Sequence, residues 1–366
     1  MRRAQETRLA GTALRHDERD RTRPIHPIRL PSTGRRPRIA GMPARGGGPH
    51  ECVEGTLDWS PLLTETSAAP AGVAVAPAAG LTVAGRYRLS RLLGAGGMGT
   101  VWLADDVVLG RAVALKKITN HQRADGTSAL QEARAAARIT HPGVVRVYDL
   151  VPEDDGDWIV MEALPGQPLS TIIRERGRLP VDEVTQIALQ LLSALGAVHD
   201  VDLVHRDIKP SNVQVCGAGR VVITDFGLSS ASGTWGGLLA GEMAGSLPYM
   251  APETLVDGAF GPPSDLYALG VTLYIAVEGH PPFDPAEPMS LLDSVLSARP
   301  RPTRHAGALR AVLDGLLEKD PGRRMDAARA REHLQVTPLA ATPSLHRSRH
   351  QPPVRRRRPL GPRGRP

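Results

Sequence analysis

The chain has 366 residues, enough for two or three folded units, with 41% apolar, 23% charged and only 3% aromatic residues. Aliphatic side chains are therefore expected to form most of the core. The two cysteines, Cys52 and Cys216, exclude a disulfide framework, and no apolar run approaches the ~18–20 residues of a membrane span. The composition argues against a secreted disulfide scaffold, an integral membrane protein and a coiled coil.

The net charge of +7 is unevenly distributed along the chain. Residues 1–86 carry +5, residues 87–335 carry −6 and residues 336–366 carry +8. The terminal segments are rich in Arg and Pro, the first also in Ala, and are predicted to be disordered over 1–84 and 336–366. Because they lack interleaved aromatic residues, nucleic acid is not an expected partner. A basic start without an apolar segment after it predicts a cytoplasmic protein.

The first half of the middle region alternates between strand and helix patterns. A single helix is predicted at Ser128–Thr140. It ends before His141-Pro142, because a residue before proline avoids the α conformation. The predicted strands are Tyr87–Leu93, Val101–Ala104, Ala112–Ile118, Val144–Val151 and Trp158–Ala163.

The second half of the middle region is mostly helical, with one further strand at Val221–Thr224. Pro180 begins a helix whose apolar residues recur at i, i+3, i+4 and i+7 through Val198. The other predicted helices are Asp265–Glu278, Met289–Leu296, Ala308–Glu318 and Asp326–Leu334. This order predicts an α+β fold of two unequal lobes, a small antiparallel sheet lobe with one helix and a larger, mainly helical lobe.

A glycine-rich turn, Gly94-x-Gly96-x-x-Gly99-x-Val101, lies between the first two strands. Glycines allow backbone N–H groups to approach phosphates closely. A plain Gly-rich hairpin is the alternative interpretation. A dinucleotide-binding fingerprint requires a helix after the glycines, whereas a strand is predicted here.

Lys116 follows Ala114 on one face of the next strand, where a methyl group could contact adenine and an ammonium could contact phosphates. The chain has 4 Lys against 41 Arg, so a retained Lys suggests a need for a compact charge. Glu132 is the only acid on the predicted helix beside this sheet and is the expected partner of Lys116. The alternatives are a surface Lys on an edge strand and a solvated helical Glu.

The segment His205-Arg206-Asp207-Ile208-Lys209-Pro210-Ser211-Asn212 places a carboxylate, an ammonium and an amide on one loop. Asp207 can accept a hydroxyl proton, Lys209 can neutralise phosphoryl charge and Asn212 can bind a divalent cation. Asp225-Phe226-Gly227 follows thirteen residues after Asn212, and Ala251-Pro252-Glu253 comes later.

These motifs, in this order, resemble the protein-kinase superfamily, and most closely the Hanks-type bacterial Ser/Thr kinases. The resemblance implies a kinase domain over 85–335, with a small lobe (85–162), a hinge (162–166) and a large lobe (167–335). Lys209, two residues after Asp207, is typical of Ser/Thr rather than Tyr kinases.

The resemblance also implies a role for each site residue. Lys116 and Glu132 would form the ion pair of the active state, Asp207 would be the catalytic base, and Asn212 and Asp225 would bind Mg²⁺. Asp265 would anchor the catalytic loop, and Glu253 would pair with Arg324. The expected nucleotide-binding residues are Leu93, Gly94, Ala95, Gly96, Gly97, Met98, Gly99, Val101, Ala114, Lys116, the gatekeeper Met161, the hinge residues Glu162 and Leu164, and Gln214.

The activation loop is expected at 225–253, with Arg206 as a phosphate-sensing residue. Its candidate phosphosites are Ser229, Ser230, Ser232, Thr234 and Ser246, with Thr234 preferred because it lies in mid-loop. Ser246 is instead expected to hold Asp207 and Lys209. Gln214, where the family usually has an apolar residue under the adenine, and Ser246, where Thr is usual, depart from the family pattern.

The leading hypothesis is a Ser/Thr protein kinase that uses ATP with Mg²⁺ or Mn²⁺, phosphorylates protein hydroxyls and self-associates for autophosphorylation in trans. A kinase-fold scaffold of weak activity, which docks acidic partners through its basic tails, is the alternative. A small-molecule kinase of related fold usually lacks the glycine-loop motif and the Ala251–Glu253 motif that are present here.

Overall fold

The computed structural model describes residues 79–96, 99–118, 129–153, 156–225, 246–283 and 288–336. Most of the predicted N-terminal extension and nearly all of the C-terminal tail lie outside this range. The described part nevertheless begins earlier than the predicted boundary at residue 85. Strand β1, Thr82–Val83, pairs with the next strand through Val83 and Tyr87. The sheet therefore begins at Thr82. Val83 is 3% exposed and belongs to the core.

The small lobe is built on a six-stranded antiparallel sheet of order β1-β2-β3-β4-β6-β5. All five strands predicted for this lobe are present, with shifted ends. They are β2 (Tyr87–Gly96), β3 (Gly99–Asp106), β4 (Arg111–Ile118), β5 (Val147–Val151) and β6 (Asp157–Glu162).

Aromatic side chains contribute more to this sheet's core than the composition suggested. Tyr87, Trp102 and Trp158 are 2%, 6% and 2% exposed and pack with the aliphatic residues of the same face. The aromatic residues are few, but these three are buried in the sheet's core.

Among the described residues of the small lobe, one helix is present, α1 (Ala129–Ala136), which ends before the predicted Thr140; Ser128 lies outside the described residues. The chain then leaves the helical conformation ahead of His141-Pro142. The predicted strand at Val144 is also wrong in its first residues. Val144 forms an isolated parallel bridge with Ile223 of the large lobe, so the strand begins only at Val147.

The large lobe combines seven described helices with a three-stranded antiparallel sheet. The helices are α2 (Leu169–Arg176), α3 (Val181–His199), α4 (Pro252–Asp257), α5 (Pro262–Glu278), α6 (Pro288–Ser297), α7 (Arg310–Leu316) and α8 (Ala327–Val336). The sheet contains β7 (Gly166–Pro168), β8 (Val213–Cys216) and β9 (Val221–Ile223).

Helix α5 is the centre of the large lobe, and every residue from Ser264 to Glu278 is buried. A helix that is apolar on all sides belongs in the interior of a protein. Its first turn begins at Pro262, three residues before the predicted start, because proline suits the first helical position. It ends at Gly279, whose φ of 79° is readily available to glycine.

Helix α3 is the one described helix that is long and apolar enough to span a membrane by length and composition. Its buried residues follow the predicted stripe, including Val184, Leu191, Leu195 and Val198, and belong to the main core cluster. The helix thus packs within the large lobe and supports the loop that follows it.

Candidate active site

Lys116 lies on strand β4, and its side chain reaches the segment that follows strand β9. Its Nζ atom lies 2.6 Å from Oδ1 of Asp225, 109 residues later in the chain. Lys116 is 3% exposed. Burial alone would raise the pKa of Asp225, but the charge and hydrogen bond of Lys116 outweigh it, so the pKa lies below its usual value. The site therefore contains an ionised carboxylate held by a buried ammonium.

The loop 205–212, which is predicted to be the catalytic loop, forms a second charged cluster around Asp207. Ser246 Oγ donates to Asp207 Oδ1 at 2.9 Å and accepts from Lys209 Nζ at 3.0 Å. Lys209 Nζ also lies 3.2 Å from Asp207 Oδ2. Asn212 Nδ2 donates to the backbone oxygen and Oδ2 of Asp207, both at 2.8 Å. The prediction that Ser246 holds Asp207 and Lys209 is confirmed.

Asp265 of helix α5 anchors the backbone of this loop, as predicted. Its carboxylate accepts hydrogen bonds from the N–H groups of His205 and Arg206, each at 2.8 Å. His199, at the end of α3, contacts the same carboxylate through Nε2 at 2.8 Å. Arg206 has a φ of 67°, an unusual conformation for a side-chain-bearing residue. The hydrogen bond from its N–H to Asp265 helps to hold that strained conformation beside Asp207.

His205 connects the catalytic loop to the segment that carries Asp225. Its Nε2 lies 2.9 Å from the Thr224 carbonyl oxygen, and its Nδ1 lies 3.3 Å from the Asp207 N–H. Since a carbonyl only accepts and an N–H only donates, Nε2 carries the proton and Nδ1 does not. Burial, which lowers the pKa of His205, favours the same neutral form.

Asn212 and Asp225 offer the oxygen atoms that a hard divalent cation prefers. The Nδ2 group of Asn212 faces Asp207, and its Oδ1 accepts a long 3.5 Å hydrogen bond from Ser211 Oγ, which leaves a second lone pair for a ligand. The backbone of Asn212 also accepts a 2.9 Å hydrogen bond from the N–H of Thr224, next to Asp225. The donor set therefore fits Mg²⁺ or Mn²⁺.

The glycine-rich turn joins β2 and β3, so the strand that follows it confirms the hairpin geometry. Gly99 has a φ of 114°, and a Cβ atom there would meet the backbone oxygen of Lys117. Only glycine suits this position. Gly97 and Met98 lie outside the described residues, as does the side chain of Glu132, so its predicted pairing with Lys116 stays a prediction.

The remaining predicted nucleotide-binding residues lie on β2–β4, β6, β8 and the hinge. Val101 pairs with Lys116 across β3 and β4, and Ala114 pairs with Met161 across β4 and β6. Ala114 and Met161 are 5% and 8% exposed. The other members of this set are Leu93, Gly94, Ala95, Gly96, Glu162, Leu164 and Gln214.

The segment 226–245 of the predicted activation loop lies outside the described residues, together with the phosphosite candidates other than Ser246. The C-terminal end of the predicted activation loop is held by the predicted pair of Glu253 and Arg324. The two side chains make bidentate contacts of 2.6 and 2.9 Å, and that of Arg324 is 1% exposed. This pair joins α4 to the segment between α7 and α8.

Sequence reasoning missed three participants. His199 and Thr224 support the site through side-chain and backbone contacts, respectively, and Arg220 makes a bidentate contact with the hinge residue Glu162. The position of His199 one turn before the catalytic loop was an available signal. No local pattern indicated that Arg220 and Glu162, 58 residues apart, would meet.

Comparisons with known proteins identify the family of this chain. The protein kinase domain model matches residues 87–335. The chain is 35% identical over 260 residues to the serine/threonine-protein kinase PknA of Mycobacterium tuberculosis, covering 68% of this chain and 60% of PknA. It is 34% identical over 258 residues to the serine/threonine-protein kinase PrkC of Bacillus subtilis, covering 68% of this chain and 40% of PrkC.

A solved structure of Rad53 1–466 in complex with AMP-PNP is also similar. Its TM-score is 0.57 at 25% identity, and the match covers 69% of this chain and 66% of that one. The chain belongs to the protein kinase family, in which it groups with the Hanks-type bacterial Ser/Thr kinases. It spans 60% or less of the length of PknA and PrkC.

Proposed function

We propose that the protein is an ATP-dependent Ser/Thr protein kinase. The observation that carries this proposal is the group of Lys116, Asp207, Lys209, Asn212 and Asp225, of which the first four are buried. Their polar atoms are joined by contacts of 2.6–3.2 Å in two adjoining clusters. Positioning and charge stabilisation of this kind are what phosphoryl transfer requires from a protein.

Each side chain has a distinct part in the proposed reaction. Asp207 orients the substrate hydroxyl and accepts its proton, since its carboxylate is fixed by Ser246 and Asn212. Lys209 lies beside Asp207 and stabilises negative charge on the transferred group. Lys116 is placed to bind the α- and β-phosphates, with its ammonium fixed by Asp225.

Mg²⁺ is the metal that we propose, with Mn²⁺ as a substitute. Asn212 and Asp225 would hold it through their side-chain oxygens, and bound metal would neutralise phosphate charge. The AMP-PNP complex of Rad53 supports nucleotide binding by this fold.

The proposed substrates are Ser and Thr hydroxyls of proteins, because Lys209 follows Asp207 by two residues and the relatives are named serine/threonine-protein kinases. We propose autophosphorylation within 225–253 through self-association.

The small number of cysteines supports a cytoplasmic location.

The alternative is a weakly active scaffold that binds acidic partners through its basic tails. The specific observation in its favour is that 336–366 holds 8 Arg and no acidic residue. Deletion of 336–366 should then weaken binding to anionic surfaces at low salt. An unchanged affinity at low salt would refute the docking role.

The deciding experiment is incubation of the purified full chain with radiolabelled ATP and Mg²⁺, followed by phosphosite mapping. Label on a protein substrate that disappears in Asp207→Asn and Lys116→Ala is the expected result. Both variants must keep the wild-type melting transition. A folded Asp207→Asn variant with near-normal activity would refute the proposed mechanism.

A further inference from the structure

Arg220 contacts two segments that are distant from it in sequence, and one of them is the hinge. It lies between the 3₁₀ turn Gly217–Gly219 and strand β9. Its two terminal nitrogens contact the carboxylate oxygens of Glu162 at 2.6 and 3.0 Å. Its Nε donates to the backbone oxygen of Pro142 at 2.8 Å. One guanidinium therefore contacts both the hinge and the loop that follows helix α1.

Both segments link the two lobes, the hinge through the chain itself and the loop 141–146 through hydrogen bonds. Glu162 ends strand β6, and the hinge 162–166 leads from it into the large lobe. The loop 141–146 is hydrogen-bonded to β9, because Ile223 donates to Gly143 at 2.9 Å and accepts from Val145 at 3.0 Å. Arg220 extends this contact sideways to the hinge.

The turn that carries Arg220 is itself fixed to the large lobe. Gln190 of helix α3 donates to the Gly219 carbonyl at 2.9 Å and accepts from the Val221 N–H at 3.0 Å. The Arg220 carbonyl also accepts from the Cys216 N–H at 2.8 Å. The residues on either side of Arg220, Gly219 and Val221, are thus hydrogen-bonded to the core helix α3.

The charges of the pair persist at neutral pH. The hydrogen bond from Arg220 lowers the pKa of Glu162 despite partial burial. The Arg220 and Glu162 side chains are 36% and 22% exposed, so solvent weakens the attraction but does not remove the bidentate geometry.

A comparable pair elsewhere in the large lobe provides a control. Arg176 contacts Glu183 bidentately at 2.9 and 2.7 Å, with 44% and 25% exposure. It joins α2 to α3 and touches neither connection between the lobes. Any effect specific to hinge position should therefore distinguish Arg220 from Arg176.

We propose that Arg220 is a positioning residue for nucleotide binding, which acts by fixing the orientation of the hinge 162–166 through Glu162. The inference rests on the proposed kinase function, in which the hinge backbone binds the adenine base. A hinge that is already ordered loses less conformational entropy when the nucleotide binds. Loss of Arg220 should therefore weaken ATP binding.

The chemical step should be affected much less than binding. Asp207 is held by Asn212 and Ser246, and its loop is held by Asp265. The contacts of Arg220 are instead with Glu162 and Pro142. We expect Arg220→Met to raise the KM and Kd for ATP by about fivefold, the loss typical of one well-placed, half-exposed ion pair, with kcat nearly unchanged.

The experiment uses the full chain and compares Arg220→Met, Arg220→Lys, Glu162→Gln, the Arg220→Met/Glu162→Gln double variant and Arg176→Met. Calorimetry with ATP and Mg²⁺ gives Kd, and steady-state phosphorylation gives KM and kcat. Arg220→Lys should recover part of the affinity. The double variant should bind ATP no more weakly than Arg220→Met, because both changes remove the same contact. Arg176→Met should match the wild type.

Several outcomes would overturn the inference. An unchanged Kd and KM in Arg220→Met, or an equal rise in Arg176→Met, would refute a hinge-specific role. A higher kcat with unchanged KM would mean that the pair restrains the lobes instead. A wild-type chain that binds no ATP would refute the proposed function itself, and the inference with it.

Discussion

The hydroxyl of Ser246 lies between two buried charged groups, and its removal tests whether this arrangement controls catalysis. Ser246 Oγ makes one hydrogen bond to Asp207 and one to Lys209, at 2.9 and 3.0 Å. Asp207 and Lys209 are 6% and 3% exposed. Bulk water therefore cannot readily replace the lost partner.

The magnitude follows from the charge of both partners. A hydrogen bond to a charged group contributes about 1.5–3 kcal/mol, and Asp207 retains its contacts with Asn212 and Lys209 after the change. We therefore expect Ser246→Ala to lower kcat by about 10- to 100-fold, since each 1.36 kcal/mol corresponds to tenfold. The KM for ATP should change little, because the hydroxyl does not contact the hinge or Lys116.

The assay is steady-state phosphorylation of a protein substrate by the full chain, with two further variants as controls. Ser246→Thr keeps the hydroxyl and should stay active, whereas Ser246→Val matches the shape of Thr without it and should behave like Ala. Equal kcat values for the Thr and Val variants, in chains with the same melting transition, would refute the role of the hydroxyl.

Three other perturbations have defined outcomes. Arg324→Leu leaves Glu253 without its partner and should lower the free energy of unfolding in urea by about 3–5 kcal/mol; a loss below 1 kcal/mol would contradict a structural role for the pair. Gly99→Ala places a Cβ against the Lys117 carbonyl at a φ of 114°, so calorimetry should show weaker ATP binding, and wild-type affinity would show that the turn relaxes freely. His205 has a lowered pKa in the folded state, so its contribution to stability is complete above its unfolded pKa of about 6.5 and declines as the pH falls below it. Urea unfolding between pH 5 and 7.5 should therefore show a shallower decline in His205→Gln, and identical slopes would exclude this contribution.

The catalytic loop could be predicted from the sequence because its chemistry lies within eight consecutive residues. Asp207, Lys209 and Asn212 lie within six consecutive residues, and their spacing alone brings them together on one loop. Asp265 and Ser246 were also placed correctly, but only through the family resemblance. The two-lobed α+β fold followed from the change of periodicity near residue 165.

The contacts that could not be predicted join residues that are distant in sequence. Asp225 was expected to bind metal, yet its contact with Lys116 depends on how two lobes meet, and no local pattern encodes that. The short elements β1 and α2 were also missed. Two residues of strand show too little periodicity to distinguish them from a loop, and the pairing with β2 decides the conformation of β1.

The scarcity of lysine was the least specific clue in the sequence, and the structure gives it a physical basis. Three of the 4 Lys residues occupy tight positions that suit a compact ammonium. Lys116 and Lys209 are each 3% exposed against carboxylates. Lys319 donates to the Val295 carbonyl at 2.5 Å, at the end of α6, with its ammonium 3.9 Å from the ring centroid of Phe283, and burial lowers its pKa to about 8. We expect that a guanidinium, which is larger and planar, would displace the neighbouring side chains at these positions.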